Sequence, residues 1–217
     1  SAPVGHLRAR DTADRHHHRV KDTADHHHRK VKDLAERPHL KVRDTVGRHP
    51  VKAESLGPGG AELKWVAASD GHIPPNPVQG GIEDDGKPLF VARAIYKGGL
   101  HPGKAGQHLG GGGCAIGYGG KEVGVSEYQV LCGDASKLRW SAQDGILNLE
   151  DCVPYPAGHE ESGEPLYIAK TLHDGSQQLG KCAMHLKRGM SFPYGRKEVL
   201  AEKYMILCYA DAKTAPQ

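Results

Sequence analysis

Chemistry-bearing side chains fall into two patterns along this chain. Two histidine triplets, His16-His17-His18 and His26-His27-His28, stand in the N-terminal part. Neutral imidazoles grouped in this way can ligate Zn, Cu or Ni. The alternative is a charged, solvated tail with incidental metal affinity. Further along, charged residues recur in matched positions. Lys104 and Lys181 each follow a glycine, Lys121-Glu122 returns as Lys197-Glu198, and His108 returns as His185. Glu83 and Glu160 sit in acidic turns, GGIEDDG and GHEESG. A carboxylate accepts from two vicinal hydroxyls and an ammonium donates to one or two. Such a pair discriminates hydroxyl configuration, because a wrong epimer leaves a charge unpaired. The competing reading of each pair is a surface salt bridge worth under about 1 kcal/mol.

Catalytic constellations fail one by one. Gly110-Gly111-Gly112-Gly113 lacks the Lys-Ser/Thr that completes a phosphate loop. GxSxG and HExxH are absent. Cys182 lies three residues before His185, but the first copy carries Ala105 at the Cys182 position. No CxxC occurs among Cys114, Cys132, Cys152, Cys182 and Cys208, which argues against a zinc ribbon or a thioredoxin-like centre. Small buried thiols are expected, although an odd thiol could cross-link chains outside the cell. The chain reads as a non-enzyme.

The elements that position these residues are duplicated. LKWVAASDG, PLFVARAIY, GYGGKEV and EYQVLC return in order as LRWSAQDG, PLYIAKTLH, PYGRKEV and KYMILC. Trp65 pairs with Trp140, Gly86 with Gly163 and Cys132 with Cys208. Strands are expected at Leu89–Tyr96, Leu166–Leu172, Tyr128–Cys132 and Tyr204–Cys208, and around each Trp. With 29 Gly and 14 Pro between short β-rich runs, the spacing predicts an all-β architecture. A repeat of this length is a half-domain rather than a solenoid unit. Neither half has aliphatics enough to stand alone, so loss of one copy should unfold the other. Two similar sites related by an approximate two-fold suit a multivalent binder. Trp65 and Trp140 are expected in the core rather than as sugar-stacking platforms. Lys121-Glu122 and Lys197-Glu198 are expected to form a charged turn or an ion pair across the two-fold.

Composition bounds the rest. Of 217 residues, 37% are hydrophobic, and the deficit lies mostly in residues 1–60. No apolar run approaches a membrane span, and no secretory signal is expected; a start at Ser1 without Met is compatible with processing. Residues 1–60 hold 13 Lys+Arg and 8 Asp+Glu, whereas the remainder holds 16 and 18. Only the extension is basic, and its acidic residues and lack of interleaved aromatics argue against nucleic-acid binding. Asp11, Asp22, Asp33 and Asp44 mark an eleven-residue period within it, with Val20, Val31 and Val42 two places before the last three. That period can keep one stripe on one helical face, but the stripe is thin and Pro38 and Pro50 interrupt it. Disorder or a fragile helix is expected there, followed by the linker SLGPGG.

Between Trp65 and Cys132, and again between Trp140 and Cys208, the chain resembles the DM-nine repeat family, tandem-repeat invertebrate proteins that include mannose-binding lectins. The resemblance implies a β-sandwich of two pseudo-symmetric repeats, at 61–136 and 137–217, behind a His-rich extension at 1–60. It also implies one sugar site per repeat and no catalysis. The family's lysine falls on Lys104 and Lys181, and its acidic residue on Glu83 and Glu160. Glu in place of the family's Asp moves the carboxylate by more than an ångström; Asp84 or Glu161 takes the role if the turn shifts by one residue. The expected function is a lectin for mannose-type hexoses, with innate immune recognition following by analogy alone. A homodimer or higher oligomer in an extracellular or secreted setting is expected, the cytoplasm being the alternative. No cofactor is required, and membrane insertion is not expected. The rival is a structural or metal-dependent assembly protein that cross-links chains through Zn, Cu or Ni on the His-rich extension.

Overall fold

The computed structural model describes residues 60–211 together with 213 and 215. The expectations for the extension, including metal ligation by His16, His17, His18, His26, His27 and His28, lie outside the described residues. Among the described residues fourteen antiparallel strands join in one hydrogen-bonded network, so the all-β expectation holds. The first repeat supplies β1 (Lys64–Ser69), β2 (Gln79–Ile82), β3 (Pro88–Tyr96), β4 (Gly99–Ala105), β5 (Cys114–Tyr118), β6 (Lys121–Val125) and β7 (Glu127–Cys132). The second supplies β8 (Leu138–Asp144), β9 (Pro156–His159), β10 (Pro165–His173), β11 (Ser176–Cys182), β12 (Met190–Tyr194), β13 (Lys197–Ala201) and β14 (Lys203–Tyr209). Strand for strand, β3 and β10, β4 and β11, β5 and β12, and β6 and β13 bury the same positions. The sequence duplication is therefore a duplication of packing. Among the described residues no helix is long and apolar enough to cross a membrane.

Tight hairpins set the local register. The β3–β4 turn is Lys97-Gly98 and the β10–β11 turn is Asp174-Gly175, all four residues with positive φ. Two consecutive positive-φ residues are what a type I′ hairpin demands, because that turn matches strand twist. Tyr96 consequently faces Gly99, and His173 faces Ser176.

The repeats interlock rather than merely abut. β2 pairs with β11 through Ile82 and Gln177, and its counterpart β9 pairs with β4 through His159 and Leu100. β6 meets β13 at Lys121 and Lys197. Gly81 and Gly158 sit in this seam, where a Cβ would strike the carbonyls of Gln177 and Leu100 respectively. Only glycine lets the two backbones come this close.

Three apolar clusters fill the fold. A shared one takes Val78, Leu89, Val91 and Leu131 from the first repeat with Tyr155, Ile168, Leu179 and Leu207 from the second. Each repeat also has its own, around Ile116 and Tyr128 in the first and Phe192 and Tyr204 in the second. Strands such as β3 thus bury both faces, Leu89 and Val91 toward the shared core and Ala92 and Ala94 toward their own. Trp65 and Trp140 pack against the shared core. The Arg93 guanidinium lies 4.1 Å from the centre of the Trp65 ring, and the Lys170 ammonium 4.4 Å from that of Trp140. All five cysteines are buried and unbridged.

Of the strands that sequence periodicity did not single out, β4 and β11 are among the most buried. GLHPGKA and SQQLGKC carry too many Gly, Pro and polar residues to read as core strands. Their polar side chains His101, Lys104, Gln178 and Lys181 are buried all the same, because they satisfy one another across the seam.

Candidate functional site

Lys104 lies on β4 between Val91 of β3 and Ala115 of β5, and Lys181 on β11 between Ile168 and Ser191. Both lysines are almost fully buried, at 2% and 5% exposure. Burying an ammonium costs several kcal/mol unless charges and hydrogen bonds compensate. Burial pushes the Lys104 ammonium below the ordinary lysine value, and the Glu83 and Glu122 carboxylates oppose that shift.

The acidic turns have the same backbone geometry in both repeats. Glu83 N–H donates to the Lys87 carbonyl (2.9 Å) and Gly86 N–H to the Glu83 carbonyl (3.1 Å). Glu160 N–H donates to Glu164 (2.9 Å) and Gly163 N–H to Glu160 (2.9 Å). This turn leaves Glu83 and Glu160 half-buried beside the lysines, while Asp84 and Glu161 are exposed. The one-residue shift that would recruit Asp84 or Glu161 is not taken.

The first cluster is built from both repeats. Lys104 Nζ donates to Gln178 Oε1 at 2.8 Å, and Gln178 Nε2 donates to Glu83 Oε2 at 2.6 Å. A neutral amide thus stands between the ammonium and the carboxylate. Glu122 Oε1 is 3.8 Å from Lys104 Nζ, and His108 Nε2 is 3.7 Å from Glu83 Oε1. The Tyr194 ring centre lies 5.7 Å from the ammonium.

The second cluster repeats this plan with the contributions exchanged. Lys181 Nζ is 3.9 Å from Glu160 Oε1, 3.7 Å from Glu198 Oε1 and 3.4 Å from His101 Nδ1. His185 Nε2 is 3.5 Å from Glu160 Oε1, and the Tyr118 ring centre is 5.7 Å from the ammonium. Here a histidine from β4 takes the place that Gln178 of β11 takes in the first cluster. Beside this cluster lies a depression of about 310 Å³ lined by Pro165, Tyr167, Met184 and His185.

Glu122 and Glu198 do two things. Their Oε1 atoms face the lysines, while Glu198 Oε2 accepts from Gly120 N–H (3.0 Å) and Glu122 Oε2 from Arg196 N–H (2.7 Å). The recurrent Lys-Glu steps therefore tie each β-turn to the other repeat, and their acidic members also border the lysine clusters.

Glu83, Lys104, Glu160 and Lys181 are thus gathered into two clusters. Sequence reasoning missed Gln178, His101, Tyr118 and Tyr194 as members. The two tyrosines carried a signal, since GYGGKEV and PYGRKEV recur. Gln178 and His101 carry none, because the counterpart residues differ and GLHPGKA and SQQLGKC have no strand-like pattern. His108 and His185 recur too, and the spacing of Cys182 and His185 suggests a Cys–His pair rather than a partner for Glu160. Cys182 is fully buried, and burial pushes its thiol far above the ordinary range, which disfavours its thiolate. Among the described residues no group of three or more His, Cys, Asp and Glu could hold a metal ion.

Comparison with known proteins places the fold and the family. No curated protein matches the sequence. The crystal structure of the nematode sperm cell motility protein MFP2B is similar, with a TM-score of 0.55 and 17% identity over 80% of this chain and 55% of that one. The present chain therefore spans little more than half of that protein's length, and the likeness is one of fold. The family model of the DM9 repeat matches residues 54–112 and again 108–201, most of the sequence, and the chain belongs to the DM9 repeat family.

Proposed function

We propose that the protein is a lectin that binds mannose-type hexoses at two sites, one around Glu83 and Lys104 and one around Glu160 and Lys181. The observation that carries this reading is the burial of two ammonium groups in pseudo-symmetric clusters, each with a half-buried carboxylate at its rim. An exposed salt bridge needs no such burial and gains under about 1 kcal/mol. A ligand meets Glu83 with His108, or Glu160 with His185, before it meets the lysine. The carboxylate accepts from vicinal hydroxyls and the ammonium donates to one of them. The depression lined by Tyr167 and His185 adjoins the second cluster through His185, whose Nε2 is 3.5 Å from Glu160. Binding needs no cofactor and no catalytic step.

Single-site sugar affinities are weak, so useful binding comes from two sites per chain and from a homodimer or higher oligomer on a multivalent surface. An extracellular place and a part in recognising microbial glycans accompany this reading. A second reading rests on the His16–His18 and His26–His28 triplets, which would cross-link chains through Zn, Cu or Ni. The two are compatible.

A glycan array run with and without EDTA tests the lectin reading. EDTA-resistant mannose binding is expected, and Lys104→Ala with Lys181→Ala together should abolish it while the circular dichroism spectrum stays β. Persistent binding by the folded double variant would sink the site assignment. Light scattering that stays flat across added Zn, Cu and Ni would remove the metal-linked reading.

A further inference from the structure

Residues 101 and 178 hold the same place in β4 and β11, yet one is His and the other Gln. Each reaches into the lysine cluster of the opposite repeat. Gln178 accepts from Lys104 and donates to Glu83, and an amide does both at any pH. His101 Nδ1 lies 3.4 Å from Lys181 Nζ and 3.8 Å from Glu160 Oε2, while Nε2 lies 3.2 Å from the Tyr96 carbonyl. One assignment satisfies the two hydrogen bonds with Lys181 charged. The ring is neutral, Nε2–H donates to Tyr96 and the Nδ1 lone pair accepts from Lys181. A second proton can go only on Nδ1. It removes the acceptor, sets two cations 3.4 Å apart and turns an N–H toward Glu160. Both groups that would hold hexose hydroxyls are disturbed at once.

We infer that His101 makes the second site a pH-gated hexose site, open while the ring is neutral and closed once it is protonated, whereas the first site, built with Gln178, stays open. The inference rests on the lectin reading of the two clusters. Facing His101 are Lys181 from β11, Glu160 from the turn after β9, Glu198 from β13, the Tyr118 ring of β5 at 5.2 Å and the Tyr96 carbonyl. His185 stands on the far side of Glu160. The ring is wholly buried, and burial and then Lys181 hold its pKa below the ordinary histidine value, against the pull of Glu160 and Glu198. The gate therefore closes below about pH 6.5. Acidification takes the chain from two sites to one, and avidity for a multivalent surface falls with it. His108 and His185 hold matched places across the two sites, so the first site is the control for the second.

The test is an NMR titration of the full chain with methyl α-mannoside at about pH 7.5 and about pH 5. Lys104→Ala leaves the second site to be read, and Lys181→Ala leaves the first. The second site should lose about tenfold or more in affinity on acidification, well beyond the first. His101→Gln added to Lys104→Ala should bring the loss down to the level of the first site. Gln178→His added to Lys181→Ala should confer the larger loss. Equal losses at both sites, or an undiminished loss with His101→Gln, would overturn the inference. Absence of mannose binding at both sites at about pH 7.5 would remove the lectin reading instead. The gate is then read from the histidine ring shifts of the unliganded wild type. Proton uptake by His101 that moves the Lys181 side-chain signals but not those of Lys104 supports it, and a ring that stays neutral down to about pH 5 overturns it.

Discussion

The second repeat fills its own core with Met190, Phe192 and Ile206, where the first has Cys114, Ile116 and Val130 at the same strand positions. Tyr128 and Tyr204, and Cys132 and Cys208, are unchanged at their counterparts. The cation over each tryptophan differs too. Arg93 is tied to Gln129 (2.8 Å) and to the Ala157 carbonyl (2.9 Å), whereas Lys170 has Met205 in the place of Gln129 and is held by its ring contact. Core volume and outer pairs have drifted between the copies, while the carboxylate and lysine that face each other in each cluster have not. Packing tolerates drift so long as volume is refilled locally, but a buried ammonium fixes the chemistry around it.

The interlocked seam should be the most sensitive place in both halves. Gly158→Val drives a side chain into the Leu100 backbone, and loss of a folded, soluble protein is expected, a cost above about 4 kcal/mol. A cooperative urea transition retained by Gly158→Val would show that the seam yields more than its geometry allows.

The separate cores give the next largest contrast. Phe192→Ala should cost about 3–5 kcal/mol, and Ile116→Val at the matching position about 1 kcal/mol. Denaturant midpoints decide this, and a loss at Phe192 as small as that at Ile116 would mean that the ring is not packed as its full burial implies.

Glu198 and Glu122 differ in how many partners each holds at the clusters. Glu198 serves Lys181, Gly120 N–H and the Ser191 hydroxyl (2.8 Å), while Glu122 serves Lys104 and Arg196 N–H. Glu198→Ala should therefore cost about 1–3 kcal/mol and exceed Glu122→Ala, since it strands one more partner. Thermal unfolding of the two variants measures the order, and the reverse order would refute it.

A last contrast concerns the tryptophan-stacked cations. Burial pushes the Lys170 ammonium down to about 8 from 10.5. The unfolded chain therefore holds that proton more tightly than the folded one, and this group makes stability rise as pH climbs from about 8 toward 10.5. Lys170→Met should remove the rise, seen as a difference in urea midpoint between the two proteins across that window. Identical pH profiles would place the Lys170 ammonium in water.

Much of the fold was legible because the duplication doubled every signal. The β3, β7, β10 and β14 runs stood out through aliphatic and aromatic residues bounded by turns. β4 and β11 did not, since periodicity assumes that polar residues face water, and here Lys104 and Gln178 face each other inside.

The amino-acid order alone carried the two-fold repetition, the β class, and the matched lysines and acidic turns. Tertiary structure alone decided that each site draws its partner from the opposite repeat, with Lys104 bonded to a residue 74 positions away and Lys181 beside one 80 positions away. It alone set Gln178 against His101. Local patterns encode which face of a strand is buried, but not which distant strand lies against it. That choice is made where Gly81 and Gly158 let the two backbones meet.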